Sequence, residues 1–290
     1  VDLRLLKPLT QGQVAPVKEL LSGIHRTALC FFTEGRGEGQ TETWIYHQAG
    51  EVLGVFSSIA HAEYIVCYAV FPDVLLSPEV FGDLDALLLR VMDKKGHRSL
   101  FYNVRGDNAL LVAHLWARGF RSDTVGYEMC CTRMLDGLDN REGLTLCGYA
   151  QEHFDDYVSV LDGAFNPLMA RTGGQADAFL RSRESLRKKL AERGTKGDFL
   201  ALWKGHRLIG VVYVTEDVIE VLAVAPPFQN QGYGGILIRQ AVRRLLQDHG
   251  YPAAYLFVVS ANQAAKRMYL RQGFRVTGYF CENTYVGITC

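Results

Sequence analysis

Residues 229–235, Gln-Asn-Gln-Gly-Tyr-Gly-Gly, are the stretch of this 290-residue chain best suited to chemistry. Glycines at Gly232, Gly234 and Gly235 let an anion approach the main chain without meeting a Cβ. Ahead of them lies the β-branched, apolar run Val218–Ala225, which reads as a buried strand ended by Pro226 and Pro227. Behind them, Ile236, Leu237, Ala241, Leu245 and Leu246 recur at helical spacing up to Gly250. The glycines therefore open a helix, whose first turn offers unpaired N–H groups and a partial positive charge. Such a turn can hold a phosphate or pyrophosphate.

A second strand, Ala253–Val259, leads into Asn262-x-x-Ala265-x-x-x-Tyr269-x-x-x-Gly273-Phe274. A strand–Q-x-x-G-x-G–helix unit followed by N-x-x-A-x-x-x-Y-x-x-x-G-F resembles the GCN5-related N-acetyltransferase (GNAT) superfamily. The resemblance implies acetyl-CoA as donor and transfer of its acetyl group to an amine. It implies that the backbone of Gln229, Asn230, Gln231, Gly232, Tyr233, Gly234 and Gly235 cradles the pyrophosphate. Leu222, Ala223 and Val224, on a strand splayed from its neighbour, would meet the pantetheine and acetyl carbonyl. Asn262 would bind the pantetheine arm, Tyr269 would protonate the departing sulfur, and Lys266 could reach the 3′-phosphate. With Leu222 and Val224 on the cofactor side, period-two alternation puts Glu220 on that face, the one ionisable group in its row. Burial there is expected to raise its pKa towards that of a useful base, acting directly or through water.

The elements that must position these residues occur twice along the chain. In the first half, Leu3–Leu6 reads as a strand and Val14–Leu21 as a helix. Trp44–His47 and Glu51–Phe56 form a hairpin, and Ala62–Phe71 a further strand. Helix Phe81–Met92, strand Leu100–Val104, helix Asn108–Ala117 and strand Tyr127–Thr132 complete that half. The second half repeats the order: strand Leu144–Cys147, helices Gln151–Ala164 and Ala176–Glu192, and strands Phe199–Trp203 and Arg207–Val214. Residues Ala164–Gly174 read as a mobile loop over the site. Acceptor recognition is expected from Asp162–Arg183 and from the last strands, with Tyr279, Phe280, Glu282 and Tyr285.

Shifting the sequence by 154 places Pro72 on Pro226, Gly96 on Gly250, Asn108 on Asn262, Gly119 on Gly273 and Phe120 on Phe274. The same shift lays Leu75, Pro78 and Val80 on Gln229, Gly232 and Gly234, and Leu115 on Tyr269. Proline offers no N–H and valine adds a branched Cβ, so the first half lacks an anion cradle. The expected fold class is α/β, with two tandem GNAT-like domains, each a mixed, mostly antiparallel sheet flanked by helices. Residues 1–135 form a degenerate domain without cofactor, 136–143 a turn-rich linker, and 144–290 the catalytic domain. Tandem members of the family such as mycothiol synthase resemble this arrangement.

Composition narrows the function class. The chain is 48% hydrophobic and 21% charged, with formal net charge zero, as expected of a globular protein with no nucleic-acid or membrane partner. No apolar run reaches the ~18 residues of a spanning helix. Seven cysteines without a C-x-x-C pair suggest free thiols in the cytoplasm, and the eight histidines show no metal-ligand spacing. The expected activity is acyl-CoA-dependent N-acetyl transfer, in a ternary complex, to the primary amine of a small molecule, amino acid or peptide. Transfer of a longer acyl group and non-catalytic acyl-CoA sensing stand as alternatives, and oligomeric state is not legible.

Overall fold

A computed structural model describes residues 5–96, 98–135 and 142–287. The chain runs β1 (Lys7–Pro8), α1 (Val14–Ser22), α2 (Arg26–Gly37), β2 (Thr41–Gln48), β3 (Glu51–Ala60), β4 (Tyr64–Val70) and α3 (Pro78–Lys95). It continues through β5 (Ser99–Arg105), α4 (Ala109–Ala117), β6 (Phe120–Cys131), β7 (Leu144–Cys147), α5 (Phe154–Thr172), α6 (Ala178–Arg181) and α7 (Arg183–Lys196). The remainder is β8 (Phe199–Lys204), β9 (Arg207–Thr215), β10 (Val218–Val224), α8 (Tyr233–Arg243), β11 (Ala254–Val259), α9 (Gln263–Arg271) and β12 (Arg275–Tyr285). Two compact units result: one comprises the chain up to Glu128 together with the segment from Thr277, the other Met129–Val276.

In the first unit the strand order is β1-β2-β3-β4-β5-β12-β6. Strands β1 to β4 pair antiparallel in sequence, β4 pairs parallel with β5, and β12 pairs antiparallel with β5 from Phe280↔Arg105 to Thr284↔Phe101. The expected hairpin is β2–β3, whose turn residues Ala49 (φ 50°) and Gly50 (φ 91°) both take the left-handed conformation that tight hairpins require. One face of the sheet buries Val17, Leu21, Ala28 and Phe32 of the first two helices, and Ile24 between them, against Val55, Ile59 and Val66. The other buries Leu84, Leu87, Val91, Leu111 and Leu115 of α3 and α4 against Phe56, Cys67 and Val104. Strand alternation thus feeds two cores.

Two expectations change here. The first described strand is Lys7–Pro8: residues 3 and 4 of the expected strand lie outside the described residues, and the backbone N–H groups of Leu5 and Leu6 donate to the buried Asp83 carboxylate, at 2.7 and 2.8 Å. The second domain was expected to run from 144 to 290, whereas the segment from Thr277 belongs to the first unit. Most of the expected linker, residues 136–141, lies outside the described residues.

The second unit has the order β11-β10-β9-β8-β7, antiparallel from β7 to β10 and parallel between β10 and β11. Phe154, Tyr157 and Leu161 of α5 and Leu186 and Leu190 of α7 pack on Phe199, Ala201, Val211 and Tyr213. Leu237, Ile238 and Ala241 of α8 are also fully buried. The anticipated loop at Ala164–Gly174 is instead the second half of α5, which continues through Pro167 and ends at Gly173 in the left-handed conformation. Asn166-Pro167 reads locally as a helix stop, but the burial of Leu168 against the unit outweighs the lost N–H. The following helix is broken at Ser182, and Asp162 accepts from the N–H groups of Phe179 and Leu180 at 3.0 Å each, securing α6. Among the described residues no helix is long and apolar enough to cross a membrane, and no group of three His, Cys, Asp or Glu could hold a metal.

Candidate functional site

Strands β10 and β11 make one Cα pairing, Val218↔Tyr255, and then separate. The gap opens into a cavity of about 430 Å³. Its walls are the end of β10 (Leu222, Ala223, Val224), the glycine segment (Gln229, Asn230, Gly232, Gly234, Gly235), one face of α9 and the second half of α5. Asn230 (φ 60°) and Gly232 (φ 87°) both adopt the left-handed conformation that turns the chain into α8. Gln229 Nε2 donates to Val224 O and Gln231 Nε2 to Pro227 O, each at 2.9 Å, which braces the loop with side chains. A Cβ at Gly234 would meet Met268, Leu222 and Val224 at 3.7–3.9 Å, ordinary contact distances on the cavity wall.

Asn262 caps α9: its Oδ1 accepts from Ala265 N at 3.2 Å. Its Nδ2 makes no hydrogen bond among the described residues, and Asn262 lines the cavity. Ala264, Ala265, Met268 and Arg271 of the same helix line it too, at the spacing of one helical face. Tyr269 is turned away from that face, 8% exposed and 5.9 Å from the Phe274 ring, and burial pushes its phenol up to about 12. Tyr233 is also buried, edge-on to Phe228, and neither it, Gln231 nor Lys266 is part of the lining.

Glu220 departs from expectation. A β-bulge between Ile219 and Val221 places the extra residue at Glu220 and interrupts the alternation that would have aligned it with Leu222 and Val224. Its carboxylate accepts from Lys189 Nζ and Thr215 Oγ1, both at 2.5 Å, outside the cavity. Burial pushes its pKa up, but the Lys189 and Thr215 hydrogen bonds and the Lys189 and Arg193 charges outweigh this, leaving it below the ordinary carboxylate value. Raised basicity is therefore not what the structure provides. The other acceptor-side candidates lie in β12 within the first unit. Phe280 is core, Tyr279 stacks on Tyr127 at 4.3 Å, and Tyr285 packs on Phe120 at 5.3 Å. Half-buried Glu282 has its pKa raised by burial and by Asp123.

Phe165, Leu168 and Arg171 lie in the segment expected over the site, but on a helix and not a loop, while Phe228, Met268 and Arg271 are lining residues that the sequence pattern did not single out. Extending the α5 periodicity past Pro167 would have shown the helix, since 164, 165, 168 and 171 share one helical face. The cavity lining includes two arginines and no carboxylate or histidine.

The first unit uses the same plan with the gap closed. Asn108 caps α4 as Asn262 caps α9, and Gly119 (φ 85°) and Gly273 (φ 89°) end the two helices alike. Yet β4 and β5 stay paired over six positions, from Tyr64↔Ser99 to Ala69↔Val104. Asn108 Nδ2 is spent on Phe71 O at 2.7 Å, Pro78 opens α3, and Val80 is buried.

Comparison with known proteins agrees with this geometry. Residues 168–274 match the acetyltransferase (GNAT) family model. A GCN5-related N-acetyltransferase from Sphaerobacter thermophilus has a similar fold over 100% of this chain and 99% of its own, with 14% identity and a TM-score of 0.54. A GNAT-family acetyltransferase from Colwellia psychrerythraea matches over 97% and 99% of the two chains, at 11% identity and a TM-score of 0.50. A tandem GNAT protein from the clavulanic acid biosynthesis pathway covers 98% and 99%, at 14% identity and a TM-score of 0.47. No curated protein matches the chain. Residues 168–274 thus match the acetyltransferase (GNAT) family model, and the chain as a whole shares its fold with solved GNAT proteins.

Proposed function

We propose that the second unit is an acyl-CoA-dependent N-acyltransferase. It would move an acetyl group from acetyl-CoA to the primary amine of a small molecule, amino acid or peptide by direct attack in a ternary complex. The observation that carries this is the separation of β10 from β11 beside the glycine-rich first turn of α8. Acetyl-CoA supplies the activated thioester when bound. The chain's residues fit it: a cradle that a Cβ at Gly234 would fill, backbone at Leu222–Val224, and the uncommitted Asn262 amide. Preorganised backbone N–H groups in a partly desolvated cleft are worth more than the same groups in water.

The proton inventory shapes the mechanism. A phenol with a pKa near 12 keeps its proton at neutral pH, so Tyr269 is a donor and not a base. Tyr269 stands about 100° around α9 from the cavity-facing Met268, so in this reading its proton would reach the sulfur only by a turn of the helix or through water. Glu220 is held ionised by Lys189 and serves to anchor the bulge. No base lines the cavity, so the amine arrives neutral or yields its proton to water. Arg171 and Arg271 favour the neutral amine, because nearby positive charge lowers an amine's pKa.

The first unit, with β4 and β5 closed, holds no donor in this reading. Phe165, Leu168 and Met268 in the wall favour a longer acyl group as the second reading. Calorimetry with acetyl-CoA, followed by thiol release over a panel of primary amines and an acyl chain-length series, tests both. The reading requires one binding event per chain and amine-dependent thiol release. Binding without release for any amine would make this an acyl-CoA sensor, and absence of binding would refute the donor assignment.

A further inference from the structure

The first unit has a cleft of its own, of about 190 Å³, between α3 and the ends of β2, β3 and β4. Arg90 and Lys94 lie one turn apart on α3 and Arg98 follows the end of the helix, and together they bring three cations to the cleft. Glu42 and Ser58, directly opposite each other in the β2–β3 ladder, form the facing wall. Arg90 pairs with Glu42 through Nε at 3.1 Å, and Lys94 Nζ pairs with the other carboxylate oxygen.

The three cations are not equivalent. Arg98 spends its guanidinium on the carbonyls of Lys94, Lys95 (3.1 Å) and His61 (3.3 Å), closing the end of α3. Arg90 and Lys94 are committed only to Glu42, which can neutralise one of them. Three cations against one carboxylate leave a surplus of two positive charges around a cleft floored by Ile65 and Val91. Ser58, 8% exposed, adds a hydroxyl to the lining.

We propose that this cleft binds a phosphate monoester, held by Arg90, Lys94 and Ser58, with Glu42 as a built-in competitor for the two cations. A monoester carries about −1.5 to −2 charge at neutral pH, which matches the surplus, and presents three oxygens to the guanidinium fork and the ammonium. A single carboxylate would match half of that charge. A dicarboxylate such as succinate carries all of it on two separate groups, so it tests whether three oxygens on one centre are what is recognised. The site is independent of the acyl-transfer reading, and its ester substituent would rest on the apolar floor.

The test is calorimetric titration of the full chain at low ionic strength with glycerol phosphate, inorganic phosphate and succinate. The expected order is glycerol phosphate at least as tight as inorganic phosphate, and both tighter than succinate. Arg90→Gln with Lys94→Gln should weaken glycerol phosphate tenfold or more. Glu42→Gln keeps both cations and should tighten it roughly fivefold, the scale of one solvent-screened charge pair. Unchanged affinity in the double variant, or weaker binding in Glu42→Gln, would overturn the site. Succinate binding as tightly as the ester, or inorganic phosphate binding without it, would overturn the ligand class.

Discussion

Replacing Gly234 by valine separates folding from binding, because the structure gives opposite signs to the two effects. The position lies in the first turn of α8 and has no positive φ, so an L side chain is conformationally admissible. The new Cβ would rest 3.7–3.9 Å from Met268, Leu222 and Val224, without overlap. In a helix valine is a few tenths of a kcal/mol better than glycine, so stability should hold within about 0.5 kcal/mol. In the donor reading, however, the two γ-methyls would crowd the cavity wall beside the loop backbone that meets the anion. Losing one or two hydrogen bonds to a charged group costs about 1.5–3 kcal/mol each. An overall loss near 3 kcal/mol weakens acetyl-CoA by roughly a hundredfold. Calorimetric titration alongside a melting curve measures both quantities on one sample. An unchanged affinity at unchanged melting temperature would refute the cradle. A collapsed melting temperature would instead show that the contact distances at Gly234 had been misjudged.

Four further outcomes follow from particular contacts. Tyr269→Phe keeps the buried ring and removes the proton, so kcat should fall about a hundredfold with little change in melting temperature; an unaltered kcat would exclude the phenol from proton transfer. Glu220→Gln should lower kcat/KM less than about tenfold, and the pH–rate profile should follow the acceptor amine's own pKa; a hundredfold fall with loss of the alkaline rise would restore Glu220 as base. Because Glu220's folded pKa is depressed, its stabilisation is present above the unfolded carboxylate value near 4.3 and lost as pH falls further. The melting-temperature gap between wild type and Lys189→Ala should therefore shrink in acid, and a constant gap would contradict the ion pair. Asp162→Ala leaves the Phe179 and Leu180 N–H groups without their acceptor and should cost about 1–3 kcal/mol in denaturant unfolding.

What was legible in the sequence was local. Helix starts at Tyr233 and Gln263 follow from glycine and Asn262 chemistry confined to a few neighbouring residues. The doubling of the plan showed in Asn108 and Asn262 because both do the same capping work. Glu220 was misjudged because a bulge, created by pairing with β9, breaks the period of two on which the inference stood. Lys189, its partner, comes from a helix 31 residues earlier, and no local pattern announces such a contact. The helix that carries Arg171 was hidden behind Pro167, where a local stop signal lost to burial of the same helix further on. The placement of β12 was beyond reach for a different reason. A strand's own residues specify which face is buried, and the edge it joins depends on the rest of the fold.

The return of β12 to the first unit has a consequence for the order of events during synthesis. The chain makes β1 to β6 first, yet the strand that completes the β5 edge is made only after the whole of the second unit. Until then β5 presents unpaired N–H and C=O groups on a Val- and Tyr-containing edge, a template for pairing with other chains. The first unit is therefore completed only after the second has been made. A chain stalled or cleaved ahead of Thr277 would have its glycine loop translated and its first unit still open, so aggregation, rather than simple loss of activity, is the expected fate of the shortened protein.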